Sequence, residues 1–197
     1  MISVQPTWYN TNEHRCCVLA GLPWKVFDKI QPDSVGLGSV EFCRELAQWP
    51  ACDPYPDWLP WGREIYKSSV PEGSFFYKPM TYAKEHFSCI RQSPPDYPWV
   101  ASEIKFFVHE WRAYVVQGKV LRVYCYSDFD DDTVHEFPWK VPDNITAAID
   151  FGLTNDGKLL PVEVNDPYSI GWYGSTMDWG VYSTFVVKGW EYMCEKG

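Results

Sequence analysis

The chain has 197 residues, 46% of them hydrophobic and 18% aromatic, with a formal net charge of −9. That length can bury a sizeable core as one large domain or two small lobes, and so much apolar surface excludes global disorder. An acidic chain without a Lys/Arg cluster repels a phosphate backbone, which excludes broad nucleic-acid binding but leaves room for a local basic pocket. No apolar run approaches the roughly 20 residues of a membrane span.

The opening residues, Met1-Ile2-Ser3-Val4-Gln5-Pro6, have neither a basic nor an apolar leader region and predict no signal peptide. Seven cysteines without paired Cys-x-x-Cys spacing predict reduced, mostly buried thiols and a cytoplasmic address. The four histidines are scattered and form no zinc pattern.

Residues 1–73 are rich in Pro and Trp, and their pattern predicts one helix. Ser39 can cap it, Val40, Phe42, Cys43 and Leu46 supply its apolar side, and Pro50 ends it. Residues 51–62 read as irregular linking chain. From residue 74 the pattern changes to strands: a short aromatic one over 74–78, closed by Pro79, then an extended run over 100–107. Runs 111–116 and 119–126 flank Gln117-Gly118, which suits a two-residue hairpin loop. Residues 127–132 form an acidic loop, and a short helix is expected after the cap candidates Asp143 and Asn144. A second hairpin, 147–153 and 158–165, turns at Asp156-Gly157. Val181, Phe185, Trp190 and Met193 stand at loosely helical spacing and predict a closing helix within 175–194.

The second hairpin carries the strongest chemical signal. With a two-residue turn at Asp156-Gly157, Asn155 pairs with Lys158, and Asp150 falls directly across from Glu163. Alternation sends Ile149, Phe151, Val162 and Val164 to the other face, and Asn165 to the face of Glu163. Opposed like charges are destabilising in a sheet. A bound cation relieves them, and oxygen donors of this kind suit magnesium. A raised carboxyl pKa or plain solvation are the other outcomes. Pro161 argues against a regular ladder there.

The stretches Ala148-Ile149-Asp150-Phe151-Gly152 and Asp156-Gly157-Lys158-Leu159-Leu160-Pro161-Val162-Glu163-Val164-Asn165 resemble the metal-binding end of ATP-grasp enzymes. In that superfamily an Asp and a Glu-x-Asn hold magnesium against the nucleotide phosphates. Ser74-Phe75-Phe76-Tyr77-Lys78-Pro79 resembles the strand that delivers the ATP-contacting lysine. Lys84 and Phe87 follow where a phosphate-covering loop is expected, with Ser88-Cys89 in place of its usual glycine. Trp99-Val100-Ala101-Ser102-Glu103-Ile104 resembles the hinge between the lobes, where backbone groups read adenine and an acid reaches nucleotide hydroxyls. Glu110-Trp111-Arg112 resembles the strand whose arginine meets the phosphates, and Glu110, on the same face, can orient the guanidinium. Gly38-Ser39-Val40, Trp61-Gly62-Arg63 and Gly171-Trp172-Tyr173-Gly174 look like features of small ATP-grasp proteins common in bacteriophages.

The resemblance covers about residues 60–175 and implies an α+β ATP-grasp fold whose two β-containing lobes clamp ATP. Residues 1–73 would be a reduced N-terminal segment, and 74–197 the nucleotide-binding and catalytic region. It also implies an ADP-forming ligase that joins a carboxylate to an amine through an acylphosphate. ATP and Mg2+ are the expected cofactors, with small-molecule or peptide substrates. Asp150, Glu163 and Asn165 are the expected metal ligands, and Lys78 and Arg112 the catalytic cations. Lys78, Lys84, Ser102, Glu103, Ile104, Glu110 and Arg112 are the expected nucleotide contacts, and Arg63, Trp172 and Tyr173 stand on the substrate side. The alternatives are a kinase-like phosphotransferase of the same fold, a nucleotide-binding interaction protein without turnover, and a structural protein.

Several of these residues have plainer readings. Lys78 can be a snorkelling lysine, Glu103 a strand-edge charge, Arg63 a surface residue, and Trp172 and Tyr173 packing aromatics. The run Asp128, Asp130, Asp131, Asp132 mimics a calcium loop but has Thr133 where the glycine belongs and Trp139 where the glutamate belongs, and reads as a solvated loop.

Overall fold

A computed structural model describes residues 1–45, 52–80, 88–127 and 136–196. The N-terminal region holds more regular structure than its composition suggests. Strands β1 (Ile2–Val4), β2 (Trp24–Val26) and β3 (Val35–Leu37) form a parallel sheet in the order β2-β1-β3, with helix α1 (Asn12–Leu19) crossing between the first two strands. Parallel neighbours require such a crossover. Three-residue strands are too short to display an alternating pattern, which is why the sequence does not reveal them. Thr11 caps α1 by accepting from the His14 amide at 3.3 Å.

Helix α2 (Val40–Arg44) starts as expected, with Ser39 Oγ accepting from the Phe42 amide at 3.3 Å. Its expected later part, Leu46 and Pro50, lies outside the described residues. Residues 52–62 carry no helix or strand, as expected of linking chain, and residue 51 lies outside the described residues.

A second, antiparallel sheet has the order β4-β7-β5-β6, built from β4 (Ile65–Tyr66), β5 (Phe75–Pro79), β6 (Cys89–Arg91) and β7 (Trp99–Ser102). The extended run predicted over 100–107 is therefore broken. It leaves this sheet after Ser102, and Phe107 opens a strand of the next one. Residues 103–106 join the two sheets.

The third sheet has the order β11-β10-β8-β9, from β8 (Phe107–Val116), β9 (Lys119–Cys125), β10 (Ala147–Thr154) and β11 (Leu159–Asn165). The β8–β9 turn is the two-residue loop expected, with positive φ at both Gln117 (48°) and Gly118 (74°). The Gly118 amide donates to Ile145 O at 2.8 Å, and Ile145 itself bonds back to Pro142. These bonds hold residues 143–144 in a turn, so the short helix expected after Asp143 and Asn144 does not form. A Cβ on Gly118 would lie 2.7 Å from Asp143 Cα and 2.9 Å from Pro142 O. Gly118→Ala is therefore expected to lower the unfolding free energy by about 2 kcal/mol, read as a shift in urea midpoint at unchanged slope.

The β10–β11 hairpin departs from expectation in detail. Its loop has three residues, closed by Thr154 and Lys158, with Gly157 at φ 80°. Near the turn Leu153 pairs with Leu159 and Phe151 with Pro161, one residue off the expected register. A bulge at Pro161-Val162 then restores it, and Asp150 stands opposite Glu163 as read from the sequence. β11 is an edge strand, where the missing amide of Pro161 costs no ladder bond.

Trp111, Ala113, Val115, Ile149, Phe151 and Val164 fill one core, on the face that carries the odd-numbered residues of β8 and β10. Val162, expected with them, is displaced by the bulge to the wall of a cavity. On the other face Tyr114, Val116 and Ala148 pack against Ile2, Val4 and Leu37 and against the closing helix α3 (Trp179–Lys196). Tyr182, Phe185, Val186, Gly189, Trp190 and Met193 form the buried stripe of α3 at the predicted helical spacing. The class is α+β, as expected.

Candidate functional site

Alternation along β8 and β10 sends Glu110, Arg112, Tyr114 and Val116 to one face, together with Ala148 and Asp150. The Tyr114–Val116 end of that face is covered by α3 and the N-terminal sheet. The other end is polar. Across it Glu163, Asp150 and Arg112 form a cross-strand row, since Asp150 pairs in register with both of the others.

The opposed carboxylates are each met by a cation. Arg112 donates to Asp150 through Nε and Nη2, both at 2.7 Å, in a bidentate pair in which both residues are buried. Burial alone would pull the Arg112 guanidinium down, but hydrogen bonding and attraction from Asp150 more than compensate and hold it above its ordinary value. Asn165 Nδ2 donates to Asp150 Oδ2 at 3.2 Å, so its nitrogen rather than the expected oxygen is turned to the carboxylate.

Lys78 reaches the same place from the other sheet. On β5, Phe75 and Tyr77 bury themselves against Ala101, and alternation turns Phe76 and Lys78 the other way. Lys78 Nζ forms an ion pair with Glu163. Burial pushes the Lys78 ammonium down to about 8, while Asp150 pulls it upward. The two sheets are thus bridged by charge at the point where the expected metal ligands and phosphate cations converge.

Aromatic rings enclose Arg112. Its guanidinium lies 4.9 Å from the Tyr173 ring centroid and 5.7 Å from that of Tyr126, and the two rings stack at 4.8 Å. Tyr126 donates its hydroxyl to Glu110 Oε2 at 2.8 Å. The partner the structure gives Arg112 for orientation is therefore Asp150, with Glu110 engaged by Tyr126. Sequence reasoning missed Tyr126. The Gln117-Gly118 turn alone sets Cys125 across from Glu110, and a bulge near Leu121 shifts the register by one.

Next to this cluster lies a cavity of about 320 Å³. Ser102, Glu103 and Ile104 line it, with Phe76, Ile90 and Glu163. Glu103 pairs with Lys105 at 2.7 Å. Arg63 is also on its wall, donating Nη2 to Val162 O at 2.7 Å, with its guanidinium 5.6 Å from the Tyr55 ring. Its buried Nε has no hydrogen-bond partner among the described residues. Burial lowers its pKa, with Tyr55 opposing. Arg63 is accordingly a half-buried cation on the cavity wall.

One candidate is not brought to the cleft. Trp172 is 5% exposed, with its ring 4.8 Å from Tyr124 and 5.0 Å from Tyr114 and its Nε1 donating to Ser175 O. It packs in the core because its ring is best accommodated between α3 and the sheet. Tyr173, its neighbour, points to the Arg112 side. Lys84 and Phe87 and the acidic run from Asp128 lie outside the described residues.

The carboxylate oxygens expected to hold magnesium are engaged by cations, Asp150 by Arg112 and Glu163 by Lys78. Among the described residues no three His, Cys, Asp or Glu side chains converge on a point. Two carboxylates and an amide suit a hard cation that takes its remaining ligands from phosphate and water.

A family model described as an ATP-grasp domain, family 2 of its clade, matches residues 75–179. No curated protein matches the chain. Among solved structures, one described as ATP-grasp ligase PsnB complexed with minimal precursor is similar over 59% of this chain and 48% of that one, at 14% identity and a TM-score of 0.33. The chain thus spans about half the length of that structure, and a likeness so remote carries no argument about activity.

Proposed function

The chain belongs to this ATP-grasp domain family, and from that premise we propose that it is an ATP-dependent ligase joining a carboxylate to an amine, with release of ADP and phosphate. The observation that carries this reading is the meeting of Lys78 from one sheet with Arg112, Asp150, Glu163 and Asn165 from the other, beside a cavity lined by Ser102, Glu103 and Ile104.

In this reading adenine lies against the backbone of residues 102–104, and Glu103 reaches the ribose. Lys78 and Arg112 hold the γ-phosphoryl group and stabilise the charge that develops on it, with Lys84 and Arg63 as further phosphate or substrate contacts. Asp150, Glu163 and Asn165 would hold magnesium, which when bound would neutralise the phosphates. Glu110 and the Tyr126–Tyr173 pair keep the Arg112 side in place. The substrate carboxylate attacks the γ-phosphorus, the bond to ADP breaks, and the amine then displaces phosphate from the acyl carbon. No protein nucleophile is needed. Residues 74–197 would carry this chemistry, with residues 1–73 as a reduced segment bracing the sheet. Free thiols and the absence, among the described residues, of any helix able to cross a membrane are compatible with a cytoplasmic setting, a host's if the source is a bacteriophage.

Calorimetric titration of ATP with and without magnesium, into wild type and Glu163→Ala, tests the site. Magnesium-dependent binding that weakens at least tenfold in the variant, about 1.4 kcal/mol, is expected. No binding to wild type at millimolar ATP would remove the basis for a ligase. Product mass then separates an amide from a phosphorylated hydroxyl.

A further inference from the structure

A second cavity, of about 310 Å³, adjoins the Lys78–Glu163 pair: Lys78 lines it, as Glu163 lines the first. Its polar wall includes Asn165 and Asp166, and Val40, Met80 and Ile170 give it an apolar side. Asp166 has little to satisfy its charge. It accepts from the Cys52 amide at 3.4 Å and from the Cys52 thiol, Arg44 and Lys196 add longer-range attraction, and burial raises its carboxyl above the ordinary value. A carboxylate largely withdrawn from water calls for a cation.

The wall that carries Asp166 is held firmly. Tyr182 donates to Ile170 O at 2.8 Å and Tyr114 to Gly171 O at 2.7 Å. Gly189 lets α3 approach so closely that a Cβ there would lie 2.5 Å from Pro167 O. Ser169, in the same wall, is a non-glycine residue at φ 56°, a conformation that surrounding structure must enforce. Rigid walls of this kind suit a binding subsite.

We propose that this cavity is the subsite for the acceptor amine, a primary alkylamine of side-chain size, with Asp166 as the anionic anchor of its ammonium group, which sheds a proton to water before the nitrogen attacks the acyl carbon. The assignment rests on the ligase reading, which requires an amine near the phosphate cations. Asp166 follows Asn165 directly, so only about 4 Å of chain separates the anchor from the nucleotide side of the site. The apolar side accommodates an alkyl stem, and the volume is at the lower end of small-molecule sites.

Ligand-observed NMR on the full chain, with n-pentylamine and its neutral counterpart n-pentanol as probes, tests the proposal. Wild type is expected to bind the amine about tenfold more tightly than the alcohol, as a charge-assisted contact would require. Asp166→Asn should abolish that preference and Asp166→Glu should keep most of it. Equal binding of amine and alcohol by wild type overturns the proposal without reference to any variant, and so does an undiminished preference in Asp166→Asn. Magnesium-ATP titration of the same samples separates the two readings. ATP binding without amine preference defeats the subsite alone, whereas amine preference without ATP binding defeats the ligase and leaves an amine site. Nα-acetyl-lysine amide serves as a second probe. Tighter binding than pentylamine assigns the subsite to a protein or peptide side chain, and weaker binding to a free amine.

Discussion

Arg112→Met is expected to destabilise the folded chain by about 3–5 kcal/mol, because it leaves the Asp150 carboxylate buried with Asn165 as its remaining donor. Asp150→Asn alone should cost a similar amount, since it strands the guanidinium instead. The double variant Arg112→Met with Asp150→Asn should recover much of the loss, because neither charge is then left uncompensated. Guanidinium unfolding of the four proteins gives the coupling directly. Additive losses would mean that the pair does not act as a unit. The four proteins also separate stability from nucleotide binding: the double variant should be folded and yet bind magnesium-ATP weakly, having lost the proposed metal ligand and the proposed phosphate cation together.

If the proposed ligase reading holds, Lys78→Ala should lower turnover by about 10²–10³-fold at saturating ATP, the usual consequence of removing a group aimed at charge that develops in the transition state. Lys78→Arg should retain part of the activity. The wild-type protein should also show a pH signature. Burial lowers the Lys78 pKa to about 8, so the cation proposed to meet the nucleotide phosphates is present below that value and is lost as pH rises through it. Affinity for ATP should therefore fall about tenfold between pH 7 and pH 9. In the nucleotide-free protein the sign is opposite. The unfolded chain holds its Lys78 proton to a higher pH than the folded one, so this group's contribution to stability rises above pH 8 until the unfolded lysine titrates too. Lys78→Arg should remove both trends, and calorimetry and urea unfolding across that pH range measure them.

These expectations draw on features that differ in how visible they are in the chain. The β8–β9 turn, the Ser39 cap, the stripe of α3 and the opposition of Asp150 to Glu163 are local. Each depends on residues within a few positions of one another, where backbone preference and side-chain period leave few alternatives. The Asp150–Glu163 pairing holds for a less simple reason. The loop is one residue longer than expected, and the bulge at Pro161-Val162 compensates for it. The same kind of irregularity, near Leu121, hides Tyr126 from view.

What completes the site depends on distance through space. Arg112 stands beside Asp150 because β10 pairs with β8 across 38 residues of chain, and Lys78 meets Glu163 where one strand of each sheet comes within ion-pair reach of the other. Neither contact leaves a mark in spacing, because nothing within a strand says which strand will lie beside it. The repulsion read from the hairpin points to a missing positive charge, and the fold supplies two from other strands. Trp172 shows the converse. Its position next to Tyr173 cannot tell which ring faces the cleft and which the core, and the space under α3 settles it. The short parallel sheet at the N-terminus is hidden for a related reason: three-residue strands have no period to read and form only when burial against α3 and β8 rewards bringing them together.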